Sequence, residues 1–159
     1  MTKPLVSIIT PCYNGEAFLK RYFESILNQT YPNLELIFIN DGSTDRTEEI
    51  ALSYRERLEK RGITYIYEKQ ENAGQAAALN RGLKLFTGEY LTWPDSDDEM
   101  VSDAVEKKVD YLEQHPDYGF CICKTKVVNE NNLLLLVSFV HNIHISFLDY
   151  FHLPLLFYI

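Results

Sequence analysis

Along residues 1 to 132 the spacing of apolar side chains changes repeatedly from every second residue to every third or fourth, and this alternation constrains the fold more than any other feature. A period of two presents one face of a strand and a period of 3.6 one stripe of a helix, so the chain must interleave the two. Leu5 to Thr10 is a short β-branched run stopped by Pro11, and Phe18, Leu19, Tyr22, Phe23, Ile26 and Leu27 then recur at helical spacing. Leu34 to Ile39 reads as a second strand, and Asp45 with Glu48 three residues later reads as the N-cap of a helix through Arg46 to Lys60. Ile63 to Tyr67, a helix from Gln75 to Leu85, Tyr90 to Trp93, a capped helix from Ser102 to about His115 and a strand from Phe120 to Val128 complete the series. The order βαβαβαβαβ predicts an α/β fold, a mainly parallel sheet flanked by helices, with ligands at the carboxyl ends of the strands.

Unusual residues stand at those strand ends. The first strand leads into Thr10-Pro-Cys-Tyr-Asn-Gly15, the second into Asn40-Asp-Gly-Ser-Thr-Asp45 and the fourth into Pro94-Asp-Ser-Asp-Asp98. Three carboxylates in four residues suit a hard divalent cation, Mg²⁺ or Mn²⁺, or else form a solvated acidic turn before the next helix. Asp41 has two readings as well, a turn residue beside Gly42 or a carboxylate accepting from a base imide. Tyr13 offers a flat face for stacking or for packing. Asn72 to Gly82, rich in small residues, permits close backbone approach to the sheet or to a ligand. Cys121 and Cys123, on one face of a strand, read as core, and so does Cys12, although it neighbours the strand-end loops; Trp93 reads as core or as pocket lining, and an odd cysteine count without CxxC spacing argues against a disulfide framework and a zinc site.

Taken together, Val6-Ser-Ile-Ile-Thr-Pro-Cys-Tyr-Asn-Gly15, Ser25 to Tyr31, Glu35 to Asp45, Asn72-Ala-Gly74 with Ala78 to Gly82, and Gly88 to Asp98 resemble the donor-binding half of a family 2 glycosyltransferase of the GT-A, Rossmann-like fold, over about residues 4 to 130. The resemblance implies that Thr10, Pro11, Tyr13 and Asp41 hold base and ribose, that Asn72 lines the donor pocket, and that Ser96 joins the nucleotide-sugar contacts. It implies that Asp95 touches ribose or metal and that Asp97 ligates Mn²⁺ or Mg²⁺ at the diphosphate. The implied reaction is inverting transfer of a sugar from a nucleotide-diphosphate sugar, with uridine favoured as the base, to a saccharide or lipid-linked acceptor hydroxyl. No GxGxxG follows the first strand and no P-loop is present, which sets aside dinucleotide dehydrogenases and phosphate-cradling NTPases.

The family places its general base in a later acceptor segment, and the sequence past Asn132 departs from that pattern. Residues 133 to 159 contain 19 apolar residues of 27, one acid (Asp149) and no Lys, Arg, Glu or Gly. The chain therefore divides into a nucleotide-sugar-binding domain, 1 to 132, and an apolar tail, 133 to 159, so that the fold reads as truncated. Asn142 to Phe147 alternates as a half-buried strand does, while histidines, Asp149 and Pro154 interrupt the tail too often for a simple membrane-spanning helix. The tail is expected either to complete the sheet or to leave apolar surface for a protein partner or a membrane surface. The alternative to an enzyme is a noncatalytic nucleotide-sugar-binding or partner-interaction module. With 15 basic and 23 acidic residues and a formal charge of −8, no global field draws nucleic acid. The first residues carry no secretion leader, so a cytoplasmic setting is expected, peripheral to the inner membrane face if the tail meets lipid.

Overall fold

The computed structural model describes residues 3–123, 125–128, 134–138 and 155–156. Its strands are β1 (Val6–Cys12), β2 (Leu34–Asp41), β3 (Thr64–Gln70), β4 (Tyr90–Thr92), β5 (Phe120–Cys121), β6 (Thr125–Val128), β7 (Leu134–Ser138) and β8 (Leu155–Leu156). The helices are α1 (Leu19–Leu27), α2 (Thr47–Ser53), α3 (Arg55–Lys60), α4 (Gln75–Gly82) and α5 (Ala104–Gln114). The main sheet runs β3-β2-β1-β4-β8-β5 and all of its pairings are parallel, as the alternation predicts.

Alternate residues of the central strands feed two cores. Val6, Ile8, Leu34, Leu36 and Phe38 pack with Leu19, Tyr22, Phe23 and Ile26 of α1, with Leu58, and with Val105, Val109 and Leu112 of α5. Ile9, Ile37, Ile39 and Leu91 face the other way, onto Ala78 of α4, with Trp93 half-buried beside them. Each large apolar side chain so buried contributes about 1.5–3 kcal/mol. The α4 layer is thin because it sits close: a Cβ on Gly82 would lie 2.3 Å from Ile9 Cγ2.

Several boundaries differ from expectation for physical reasons. β1 continues through Pro11 to Cys12, because β4 pairs only as far as Ile8↔Thr92 and Pro11, paired with Ile39 of β2, has an open edge on the β4 side, the kind of position where a sheet tolerates proline. The single helix expected from Arg46 to Lys60 is two, α2 and α3, parted at Tyr54, whose ring stacks on Phe23 at 4.6 Å and whose hydroxyl donates to Glu24 Oε1 at 3.0 Å. Asp45 lies one residue before the N-cap position, and Glu48 pairs with Lys69 instead of reaching back to form a capping box. α5 begins at Ala104 and its cap position, Asp103, makes no side-chain capping bond.

The run from Phe120 to Val128 is split between two sheets: β5 pairs with β8, and β6 pairs antiparallel with β7. Cys123 accordingly lies outside any strand, and Cys121 and Cys123 are half-buried. Of the apolar tail, Leu155–Leu156 enters the main sheet between β4 and β5. The expected strand at Asn142 to Phe147 and Asp149 lie outside the described residues. Among the described residues no helix is long and apolar enough to cross a membrane.

Candidate functional site

β2 and β3 lie on one side of β1 and β4 on the other, so the winding of the sheet reverses between β1 and β4. Beyond Ile8↔Thr92 the two strands part, and the crevice that opens at their carboxyl ends is the switch point where such sheets bind ligands. A cleft of about 330 Å³ occupies it. Pro11 to Gly15 form one wall, Asp95, Ser96 and Asp97 another, and Phe18, Asp41 and Gln75 close the remainder.

The first wall is held in shape by its neighbour. Asn14 takes φ +51°, the left-handed region that asparagine tolerates. Its N–H donates to Ser43 Oγ at 2.9 Å, and its Oδ1 accepts from the Thr44 N–H at 2.9 Å. The Gly15 N–H donates to Thr47 Oγ1 at 2.8 Å, and the Glu16 N–H to Asp45 Oδ2 at 3.0 Å. Asp45 Oδ1 also accepts from the Thr47 N–H at 2.9 Å, so this carboxylate ties the β1 loop to the start of α2 and does not face the cleft. Cys12 is buried beside Gly15, and burial pushes its thiol pKa up.

Asp41 is almost wholly buried, at 3% exposure, at the end of β2. Its Oδ1 accepts from Gln70 Nε2 at 2.7 Å and from the Ala73 N–H at 2.9 Å, and its Oδ2 accepts from the Gly74 N–H at 2.9 Å. Burial alone would raise its pKa, but these donors outweigh it and hold the carboxyl below the usual range. Asp41 thus anchors the loop between β3 and α4 while presenting to the cleft. Gly42, at φ +74°, lets the turn after β2 pack on that loop, since a Cβ there would lie 2.6 Å from the Asn72 nitrogen.

Asp95 and Asp97 project at the exposed rim, with Ser96 half-buried between them. Gln75 Nε2 donates to Asp95 Oδ1 at 2.6 Å. The cleft walls withdraw the Asp95 carboxyl from bulk water although the residue is exposed, and this, followed by the charge of Asp97, raises its pKa. Asp98 is raised by desolvation and then by the charges of Asp97 and Asp95. None of the residues described as lining the cleft is Lys, Arg or His. Hard oxygen donors crowded without a cationic neighbour fit Mg²⁺ or Mn²⁺ in kind. Among the described residues no three His, Cys, Asp or Glu side chains come together as a metal-binding group.

Of the residues singled out in the sequence, Pro11, Tyr13, Asp41, Asp95, Ser96 and Asp97 meet in one cleft. Thr10 and Asn72 are not among its lining residues. Thr10 is fully buried with its hydroxyl bonded to Tyr22 Oη, and Asn72 is an exposed loop residue behind Gly42. Phe18, expected as part of the helical core stripe, is instead 41% exposed at the cleft rim. Gln75 carried no sequence signal beyond its place at the start of a helix; only the fold brings it to Asp95, 20 residues away.

A parallel sheet covered on both faces, with an acid-bearing cleft at its switch point, defines a Rossmann-like α/β domain that binds ligands at its strand ends. The chain belongs to glycosyl transferase family 2, whose pattern matches residues 7–156. An uncharacterized glycosyltransferase of Haemophilus influenzae is 42% identical over 127 residues, 76% of this chain and 50% of its own length. One from Rickettsia typhi is 45% identical over 109 residues, 69% of this chain and 32% of its own. The chain thus spans from about a third to half of these relatives. Among solved structures, S. aureus TarS 1-349 in complex with UDP is similar at a TM-score of 0.69 and 26% identity, over 77% of this chain and 36% of that one. The mannosyltransferase PcManGT of Pyrobaculum calidifontis, in complex with GDP-Man and Mn²⁺, is similar at a TM-score of 0.69 and 29% identity, over 79% and 37%. The GT-A fold expected from the motifs is therefore the fold of this chain.

Proposed function

We propose that the cleft binds a nucleotide-diphosphate sugar together with Mn²⁺ or Mg²⁺, and that the chain is the donor-binding part of an inverting glycosyltransferase acting on a saccharide or lipid-linked acceptor. The observation that carries this reading is the acid-lined cleft at the switch point without a basic side chain on its wall. A diphosphate enters such a cleft only with a cation. Asp95 and Asp97 are the residues that hold it, and Ser96 offers a hydroxyl to the diphosphate or sugar. A divalent ion, when bound, offsets the negative charge that grows on the departing nucleoside diphosphate. Pro11 and Tyr13 form the surface for base and ribose, with Tyr13, 54% exposed, free to stack. Asp41 accepts from the base with the capacity its loop contacts leave. That TarS is described with UDP and UDP-GlcNAc, and PcManGT with GDP-Man and Mn²⁺, supports the ligand class.

The general base for the acceptor hydroxyl belongs to an acceptor-binding region beyond residues 1 to 132, and the apolar tail is the place where that region, a protein partner or a membrane surface adjoins. A nucleotide-sugar-binding module without turnover is the second reading. Calorimetry of the full chain with UDP and GDP, in Mn²⁺ and in EDTA, tests the first part: affinity is expected to require the metal in the wild type and to lose that requirement in Asp97→Ala. Equal affinity in Mn²⁺ and EDTA for the wild type contradicts it. Release of sugar from a donor by the chain then separates enzyme from module.

A further inference from the structure

We infer that Gln75 is a positioning residue that couples the base end of the cleft to its cation end; this rests on the nucleotide-sugar reading above and assigns a role to a residue that reading leaves idle. The path is short and continuous. The Asp41 carboxylate, from β2, fixes the N–H groups of Ala73 and Gly74 at 2.9 Å each. Gly74, at φ +88°, turns the chain into α4, and Gln75 is the first residue of that helix. Its side chain crosses the cleft, donating from Nε2 to Asp95 Oδ1 at 2.6 Å. Asp41 and Asp95 stand at the ends of different strands, with β1 between β2 and β4, yet they are joined through only two intervening residues.

The bond selects among the atoms of Asp95. With Oδ1 engaged by Gln75, the carboxylate is held in one orientation and keeps Oδ2 for a cation or a ribose hydroxyl. A charge-assisted bond of this kind is directional and cuts the rotamers that Asp95 gives up when a ligand arrives. Anything that seats the loop on Asp41, such as a base donating to it, also seats Gln75 and through it Asp95. Base and cation then tighten each other through protein atoms as well as through the diphosphate.

The test compares the wild-type chain with Gln75→Met, which keeps length and loses the donor, and with Gln75→Glu, which keeps shape and places an acceptor against Asp95. Calorimetry measures UDP and GDP affinity in Mn²⁺ and in EDTA, with thermal melts of all three proteins. Gln75 is exposed on the first turn of α4, so melting points are expected to stay close to wild type. In Mn²⁺ the nucleotide affinity is expected to fall about fivefold or more in Gln75→Met and further in Gln75→Glu, while affinity in EDTA moves by less than about twofold. A residue that merely packs the helix would shift both conditions together. A wild-type chain whose nucleotide affinity is the same with Mn²⁺ and EDTA overturns this inference along with the function proposed above. Metal dependence in the wild type that survives intact in both variants overturns the role of Gln75 alone.

Discussion

Replacing Asp41 should loosen the loop between β3 and α4 before it unfolds anything else. The carboxylate accepts three hydrogen bonds, from Gln70 Nε2 at 2.7 Å and from the Ala73 and Gly74 N–H groups at 2.9 Å. Hydrogen bonds to a charged partner contribute about 1.5–3 kcal/mol each, but Ala73 and Gly74 are exposed residues whose freed amides reach water, so Asp41→Ala should lose about 2–4 kcal/mol and not the full sum. Asp41→Asn should lose about 1–2 kcal/mol, since its amide nitrogen then faces an N–H that needs an acceptor. The pH dependence has a definite sign. The folded-state pKa of Asp41 lies below its unfolded value, so its contribution is complete above about pH 4 and disappears as pH falls through the folded value. Urea denaturation of wild type and Asp41→Asn is therefore expected to show a gap at neutral pH that closes in acid, with faster amide exchange at Ala73 and Gly74 in the variant. A gap that is constant with pH, or unchanged exchange at those amides, refutes the anchoring role.

Two further outcomes follow from the core. Thr10→Val and Tyr22→Phe each strand a buried hydroxyl and are expected to cost about 1–3 kcal/mol singly, with the double variant less damaging than their sum; additive losses in a denaturation cycle would contradict the pairing. Gly82→Ala places a Cβ 2.3 Å from Ile9 Cγ2 and is expected to destabilise by about 1–3 kcal/mol, with the loss in the double variant with Ile9→Ala smaller than the sum of the two single losses; a fully stable single variant in thermal melts would argue against the close approach of α4 to β1.

What the sequence made legible was whatever depends on local periodicity and on the strand-end rule. β1, α1, β2 and α4 stand near their expected places because each carries its own apolar pattern, and the cleft lies where the Pro11, Asp41 and Asp95 segments were expected to converge. What stayed hidden is set by partners distant in the chain. The run from Thr47 to Lys60 has no Gly or Pro to mark a break; Tyr54 parts it because its ring stacks on Phe23 of α1. Pro11 reads as a strand stopper until β4 is known to end beside Ile8. Phe120 to Val128 alternates as one strand, yet its two halves pair with β8 and with β7. In the site, Asp41 was legible as a strand-end acid but its three loop contacts, 29 to 33 residues away, were not. Thr10 sits in the motif with Pro11, but the alternation of β1 turns its side chain toward Tyr22 and α1.

The proposed function requires one cleft, between the ends of β1 and β4, to take a cation and a nucleoside diphosphate together. Paramagnetic broadening by Mn²⁺ of the backbone amide signals reads this at each residue. With UDP or GDP present, substoichiometric Mn²⁺ is expected to erase the signals of Asp95, Ser96 and Asp97 first and then those of Tyr13 and Gly15, while the signals of α3 stay sharp; without nucleotide the effect on the same residues is expected to be weaker. Broadening centred elsewhere, or equal with and without nucleotide, contradicts the account.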